Sequence, residues 1–184
     1  MQLRELTEVE FNEFVNSNSM YSIYQTVEYA NTMKNEKCDI LYVGLTNENK
    51  IIAASLILVK KVNGFKYAYA PRGFLIDYDN YSLLEEFTIG IKKLLKSKDI
   101  VAVKLSPMIL KKETDKDGEI LYSNPKFDEI YEYLKKLDYY HFGFNNYFEG
   151  DKPRYEAIIK LEGNDASGLF NNIDKSIELK SEVH

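Results

Sequence analysis

The chain has 184 residues, 45% hydrophobic and 29% charged, with a formal net charge of -5. That length fits one buried core rather than two, the composition excludes a disordered or low-complexity chain, and the charge argues against a protein coated in basic surface for nucleic acid. One cysteine excludes an internal disulfide and, with two histidines, a Cys/His zinc cluster; Cys38 reads as small apolar packing more readily than as a nucleophile.

The first residues, MQLRELTEVEF, are charged throughout and lack the apolar run of a signal peptide. The longest apolar stretch, Ile51 to Val59, is too short to span a bilayer, so a cytoplasmic location is expected. Leu3–Leu6 reads as a short strand. Thr7 and Glu10 have capping-box spacing, and Val9, Phe11, Phe14 and Val15 recur near helical period, which predicts a helix over 8–17. A second helix is expected over Val27–Asn35.

Ile40–Leu45 and Ile51–Val59 are β-rich runs joined by Asn47-Glu48-Asn49-Lys50, the signal of a hairpin. Phe65–Tyr69 adds a third strand, and Pro71-Arg72-Gly73 breaks it. Tyr81–Lys96 is amphipathic at helical period and Ile100–Leu105 follows as a strand, a β-α-β unit that favours parallel pairing. After a polar loop with Asp117-Gly118, a helix is expected over Phe127–Leu137, with Pro125 in its first turn. Strands near Tyr140–Tyr147 and Arg154–Leu161 complete the sheet. The class is α/β: a mixed sheet flanked by helices, resembling the GCN5-related N-acyltransferase (GNAT) architecture, in one domain over 1–165. From Ala166 the chain reads as the start of a helix that is unfinished at His184.

Charge is uneven. Lys50 to Lys116 holds 13 basic and 7 acidic residues, leaving 11 basic and 22 acidic elsewhere, so a local anion site is allowed, though a solvated face explains most such lysines. Arg72 and Gly73 follow the tyrosine-rich strand that ends in Tyr69, and a glycine beside a guanidinium lets backbone and charge approach an anion together. The competing reading is a turn whose Arg72 pairs with Asp77 or Asp79. Arg154 and Tyr155 offer a second cation with an aromatic neighbour, against the plainer reading of a surface Arg balancing Asp151 and Glu156. Among the fifteen tyrosines, Tyr21, Tyr24, Tyr29, Tyr67, Tyr69, Tyr139, Tyr140 and Tyr147 can present ring faces and hydroxyls to a polar ligand, or finish a core at its wet edge. His141 has no identified Ser or Asp partner and reads as structural.

No dinucleotide fingerprint, phosphate loop, nucleophile elbow or His-Glu-x-x-His occurs, nor the Gln/Arg-x-x-Gly-x-Gly/Ala segment with which acetyl-CoA-dependent GNAT enzymes cradle pyrophosphate. Seven segments do occur in one order: Leu6-Thr7-x-x-Glu10-Phe11-x-x-Phe14, Tyr24-Gln25-Thr26-Val27-Glu28-Tyr29, Ala70 to Tyr78, Lys104-Leu105-Ser106-Pro107, Asp117-Gly118-Glu119-Ile120, Gly143-Phe144 and Arg154-Tyr155. In that order they resemble the Fem family (FemABX) of peptidoglycan-bridge aminoacyltransferases.

The resemblance implies transfer of an amino acid from aminoacyl-tRNA, the co-substrate, to the stem peptide of a lipid-linked or UDP-linked muropeptide, with no other cofactor. It implies peripheral proximity to the membrane, and two GNAT-like domains, of which the second carries most catalytic and tRNA-facing positions. Residues 1–165 then correspond to the first domain and 166–184 to the start of the helix that leads to the second, and the chain is expected to be inactive alone. On this reading Tyr69, Arg72, Gly73, Arg154 and Tyr155 contact the precursor. Lys34 stands one turn beyond Asn31, the position at which some relatives carry a precursor-binding lysine. The sequence departs from the family at Ser106, where relatives often have Asp, and in the Glu-containing tail from Ser176. A small acyl-CoA-dependent N-acyltransferase and a non-catalytic binding module are the alternatives.

Overall fold

The computed structural model of the chain describes residues 1–143. Strand β1 (Gln2–Glu5) leads into helix α1 (Glu8–Asn16) through the predicted capping box: the Thr7 N–H donates to Glu10 Oε2 at 2.8 Å and the Glu10 N–H to Thr7 Oγ1 at 3.2 Å. Arg4 donates to the same carboxylate at 2.6 Å, and the two partners, Arg4 first and Thr7 second, hold Glu10 down to about 2.

A 3-10 turn, Ile23–Gln25, precedes α2 (Val27–Asn35). The Thr26 hydroxyl ties them together, accepting from the Tyr29 N–H at 3.1 Å and donating to the Ile23 carbonyl at 2.8 Å.

Strands β2 (Asp39–Asn47), β3 (Lys50–Val62) and β4 (Phe65–Ala70) form an antiparallel meander, and α3 (Tyr81–Ser97) crosses over to β5 (Ile100–Leu105), which lies parallel to β4. The sheet runs β1-β2-β3-β4-β5. This is the GNAT-like mixed sheet flanked by helices that the sequence predicts.

The run Ile51 to Val59 lacks apolar/polar alternation because both faces are covered. Ala53, Ile57 and Val59 join Phe87 and Ile91 of α3 in one core, while Ala54, Leu56 and Leu58 join Phe11, Val15, Val27 and Ala30 in the other. Helix α4 (Phe127–Lys136) adds Ile130 to the α3 side and stacks Tyr133 on Tyr81 with ring centroids 4.6 Å apart. Among the described residues no helix is long and apolar enough to cross a membrane.

Three expectations need correction. The stretch around Asp117-Gly118 is not a plain loop but the tip of a hairpin, β6 (Lys112–Thr114) with β7 (Ile120–Ser123). Every residue of its two strands is exposed, so no buried face imposes the alternation that marks a strand. Pro125 stands just before the N-cap of α4, in a turn where Asn124 Oδ1 accepts the Lys126 N–H at 3.0 Å. Residues 140–143 form no strand. The rest of that expected strand, the Arg154–Leu161 strand, the domain limit at 165 and the helix from Ala166 lie outside the described residues. Within them, Met1–His141 form one compact unit.

Candidate functional site

The parallel strands β4 and β5 end together. Ala70 lies opposite Leu105, and the Ser106 N–H donates to the Ala70 carbonyl at 3.4 Å. The carboxyl ends of such strands are where open α/β sheets place ligands.

The chain leaves the ladder here for a reason written in its register. β3 pairs Leu58 with Tyr69 and next meets the same segment at the Ala54–Leu75 bridge; four steps separate Leu58 from Ala54 but six separate Tyr69 from Leu75, so two residues are left over. Continued register would set Pro71 opposite Leu56, and Pro71 has no N–H to offer. The fully buried Gln25 carboxamide supplies that rung. Its Oε1 accepts the Leu56 N–H at 2.7 Å, and its Nε2 donates to the Leu56 carbonyl at 3.2 Å and the Pro71 carbonyl at 2.7 Å.

Gly73 follows from this. A Cβ there would stand 2.8 Å from Gln25 Nε2 and 3.1 Å from Ser55 Oγ, so the space that a side chain would fill is already taken by the amide.

Arg72 has a left-handed backbone, φ 53°, uncommon for a side chain of its size. Its N–H donates to Ser106 Oγ at 3.3 Å, and Ser106 Oγ lies 3.0 Å from the Tyr69 hydroxyl. Downstream, the buried Tyr78 hydroxyl accepts the Phe74 N–H at 2.7 Å and donates to the Phe74 carbonyl at 3.2 Å, closing the loop. Asp79 pairs with Lys126 at 3.3 Å, and Asp77 accepts the Asp79 N–H at 3.0 Å.

Tyr24 and Tyr29 meet edge to face with centroids 5.2 Å apart, and burial, then Tyr69, Tyr24 and Cys38, push the Tyr29 hydroxyl upward. The corner therefore gathers the Tyr69 and Ser106 hydroxyls at the backbone of Arg72, a residue type suited to holding an anion with directional donors. No base is hydrogen-bonded to Ser106 among the described residues, and no three His, Cys, Asp or Glu side chains gather there to hold a metal.

Of the residues picked from sequence, Tyr69, Arg72 and Gly73 come together. Lys34 does not join them: its Nζ bonds Asn31 Oδ1 at 3.0 Å and lies 3.6 Å from Glu8 of α1. Arg154 and Tyr155 lie outside the described residues. Of the other tyrosines, Tyr139 is bound to Thr88 of α3 at 3.2 Å, Tyr21, Tyr67 and Tyr140 are exposed, and Tyr147 is not described. Cys38 is buried as packing, and the His141 ring lies edge-on to Tyr131 at 5.2 Å. A groove of about 420 Å³ between Met1–Leu3 and α3 shares no residue with this corner.

Sequence reasoning assigned no role to Gln25 and saw Ser106 only as a missing Asp. The signals present were its place in the Tyr24 to Tyr29 segment and a glutamine directly before the N-cap Thr26.

A sequence model described as the FemAB family matches residues 6–180. The chain is similar to the protein called Aminoacyltransferase FemA of Staphylococcus aureus (strain bovine RF122 / ET3-1), 29% identical over 177 residues, and to that of Staphylococcus epidermidis, 30% identical over 178. Each alignment covers 95% of this chain and 42% of the relative, so the chain spans about two fifths of their length. The crystal structure of FemX matches with a TM-score of 0.61 at 24% identity, over 79% of this chain and 33% of that one, a likeness of fold.

Proposed function

This chain belongs to the FemAB family, and from that membership we propose that it takes part in aminoacyl transfer from aminoacyl-tRNA to the stem peptide of a peptidoglycan precursor, the reaction that builds interpeptide bridges. The observation that carries the proposal is the match over residues 6–180 together with relatives named aminoacyltransferases. In such a transfer the precursor's amine forms an amide bond to the aminoacyl carbonyl carbon. The ester bond to the tRNA ribose breaks, and the ribose hydroxyl leaves with a proton, the amine having shed one.

The role proposed for the described residues is binding. A muropeptide, UDP-linked or lipid-linked, carries a diphosphate and carboxylates. Arg72, with the Tyr69 and Ser106 hydroxyls, supplies a charged donor and two neutral ones at the end of the parallel strand pair. A lipid-linked precursor would bring the protein to the membrane surface, a peripheral association that needs no spanning helix.

The test has two arms. Calorimetric titration with a UDP-linked muropeptide is expected to show saturable binding, weakened about tenfold by Arg72→Ala, the cost of one charge-assisted contact. Incubation with charged tRNA and the same muropeptide reports transfer. Roughly micromolar binding of acetyl-CoA, with none of the muropeptide, would overturn the proposal in favour of acyl-CoA chemistry.

A further inference from the structure

We infer that Gln25 is a positioning residue for anion recognition, setting the place of the Arg72 guanidinium without touching the ligand. The inference rests on the reading of Arg72 as the precursor's anion contact and deepens it. Three observations carry it.

First, Gln25 is the rung that Pro71 cannot be. Leu58 pairs with Tyr69 and Ala54 with Leu75, and between them one side chain from a segment thirty-one residues earlier meets both the Leu56 N–H and the Leu56 carbonyl, the carbonyl also accepting the Ser55 hydroxyl at 3.1 Å. An unmet buried pair would be costly, so the amide is fixed in place.

Second, the amide is bonded to the Arg72 loop itself. Nε2 reaches the Pro71 carbonyl at 2.7 Å, and the site of a Gly73 Cβ is 2.8 Å from the same nitrogen. The residues on both sides of Arg72 are thus set by one carboxamide, while Ser106 Oγ fixes the Arg72 N–H. Third, Arg72 holds a left-handed backbone, a conformation that persists only where the surroundings over-determine it. Gln25 below and Ser106 beside it are those surroundings.

Gln25→Leu keeps the volume and removes every hydrogen bond of the carboxamide. The experiment is a double-mutant cycle on the muropeptide titration with Gln25→Leu, Arg72→Ala and both together. Expected are losses of about tenfold for each single variant and less than about twofold further loss for Gln25→Leu once Arg72 is already Ala, because the glutamine acts through the arginine. A merely structural glutamine would weaken binding by the same factor in both backgrounds, and that additive result overturns the inference while leaving the Arg72 reading intact. An Arg72→Ala chain that binds like its parent overturns the Arg72 reading, and the inference with it.

Should Gln25→Leu fail to fold, NMR on the unaltered chain decides. Adding the UDP-linked muropeptide is expected to shift the Gln25 side-chain amide resonances together with the Arg72 and Gly73 backbone amides. A Gln25 amide that stays in place while Arg72 shifts overturns the inference.

Discussion

Two polar networks in this chain use the same chemistry in opposite settings. At the start of α1, Thr7, Glu10 and Arg4 satisfy one another and the helix's first N–H groups at the surface, over six residues of sequence. At the strand end, Gln25 satisfies Leu56 and Pro71 in full burial, over thirty-one and forty-six residues. Water can replace any partner in the first network and none in the second. The difference teaches that the energetic weight of a hydrogen bond is set by what would replace it, and the buried amide should dominate.

The sharpest way to break that comparison is Gln25→Ala. Leaving the buried Leu56 N–H unmet and opening a cavity are expected to cost about 3 kcal/mol by urea unfolding; a loss no larger than that of a helix cap would erase the distinction. Gly73→Ala comes next, at about 1–3 kcal/mol, because the new methyl meets the amide nitrogen at 2.8 Å. That cost should shrink when Gln25 is also Ala, since the clash is with Gln25 itself; equal costs in both backgrounds would place the strain elsewhere. Thr7→Ala should cost about 1 kcal/mol in the same measurement, the ordinary worth of an N-cap.

The smallest effect concerns Glu10. Its folded carboxyl lies at about 2 against an ordinary 4.5, so the stability it contributes is fully present above about pH 4.5 and is lost as pH falls toward about 2. Melting temperatures of the parent and Glu10→Gln should therefore differ most near neutral pH and converge near pH 2. A gap that persists at pH 2 would mean that the carboxylate is not what stabilises the α1 start.

The same contrast explains what the sequence could reveal. Thr7 and Glu10 stand three residues apart, a spacing that names its own geometry, and the helices Glu8–Asn16 and Tyr81–Ser97 declare themselves by periodicity. The parallel pairing of β4 with β5 follows from the crossover through α3. Arg72 was legible as a candidate because Pro and Gly flank it. Gln25 was not, since nothing within ten residues of it hints at Leu56 or Pro71. For Lys34 its helix was legible, but position along a helix does not say that Glu8 of α1 stands beside it. The hairpin Lys112–Ser123 escaped because its apolar residues, Ile120, Leu121 and Tyr122, stand exposed in a row.

The two surplus residues between Tyr69 and Leu75 bear on how this segment can change over time. A deletion of both would let β3 zip to the strand end in continuous register and would evict the Gln25 carboxamide from its place. A deletion of one would turn every following side chain to the opposite face. Substitutions at Arg72 leave the register untouched, whereas the count of residues around it cannot drift without the buried amide being lost. Segment length, together with the missing side chain at Gly73, is what the register and the buried amide require.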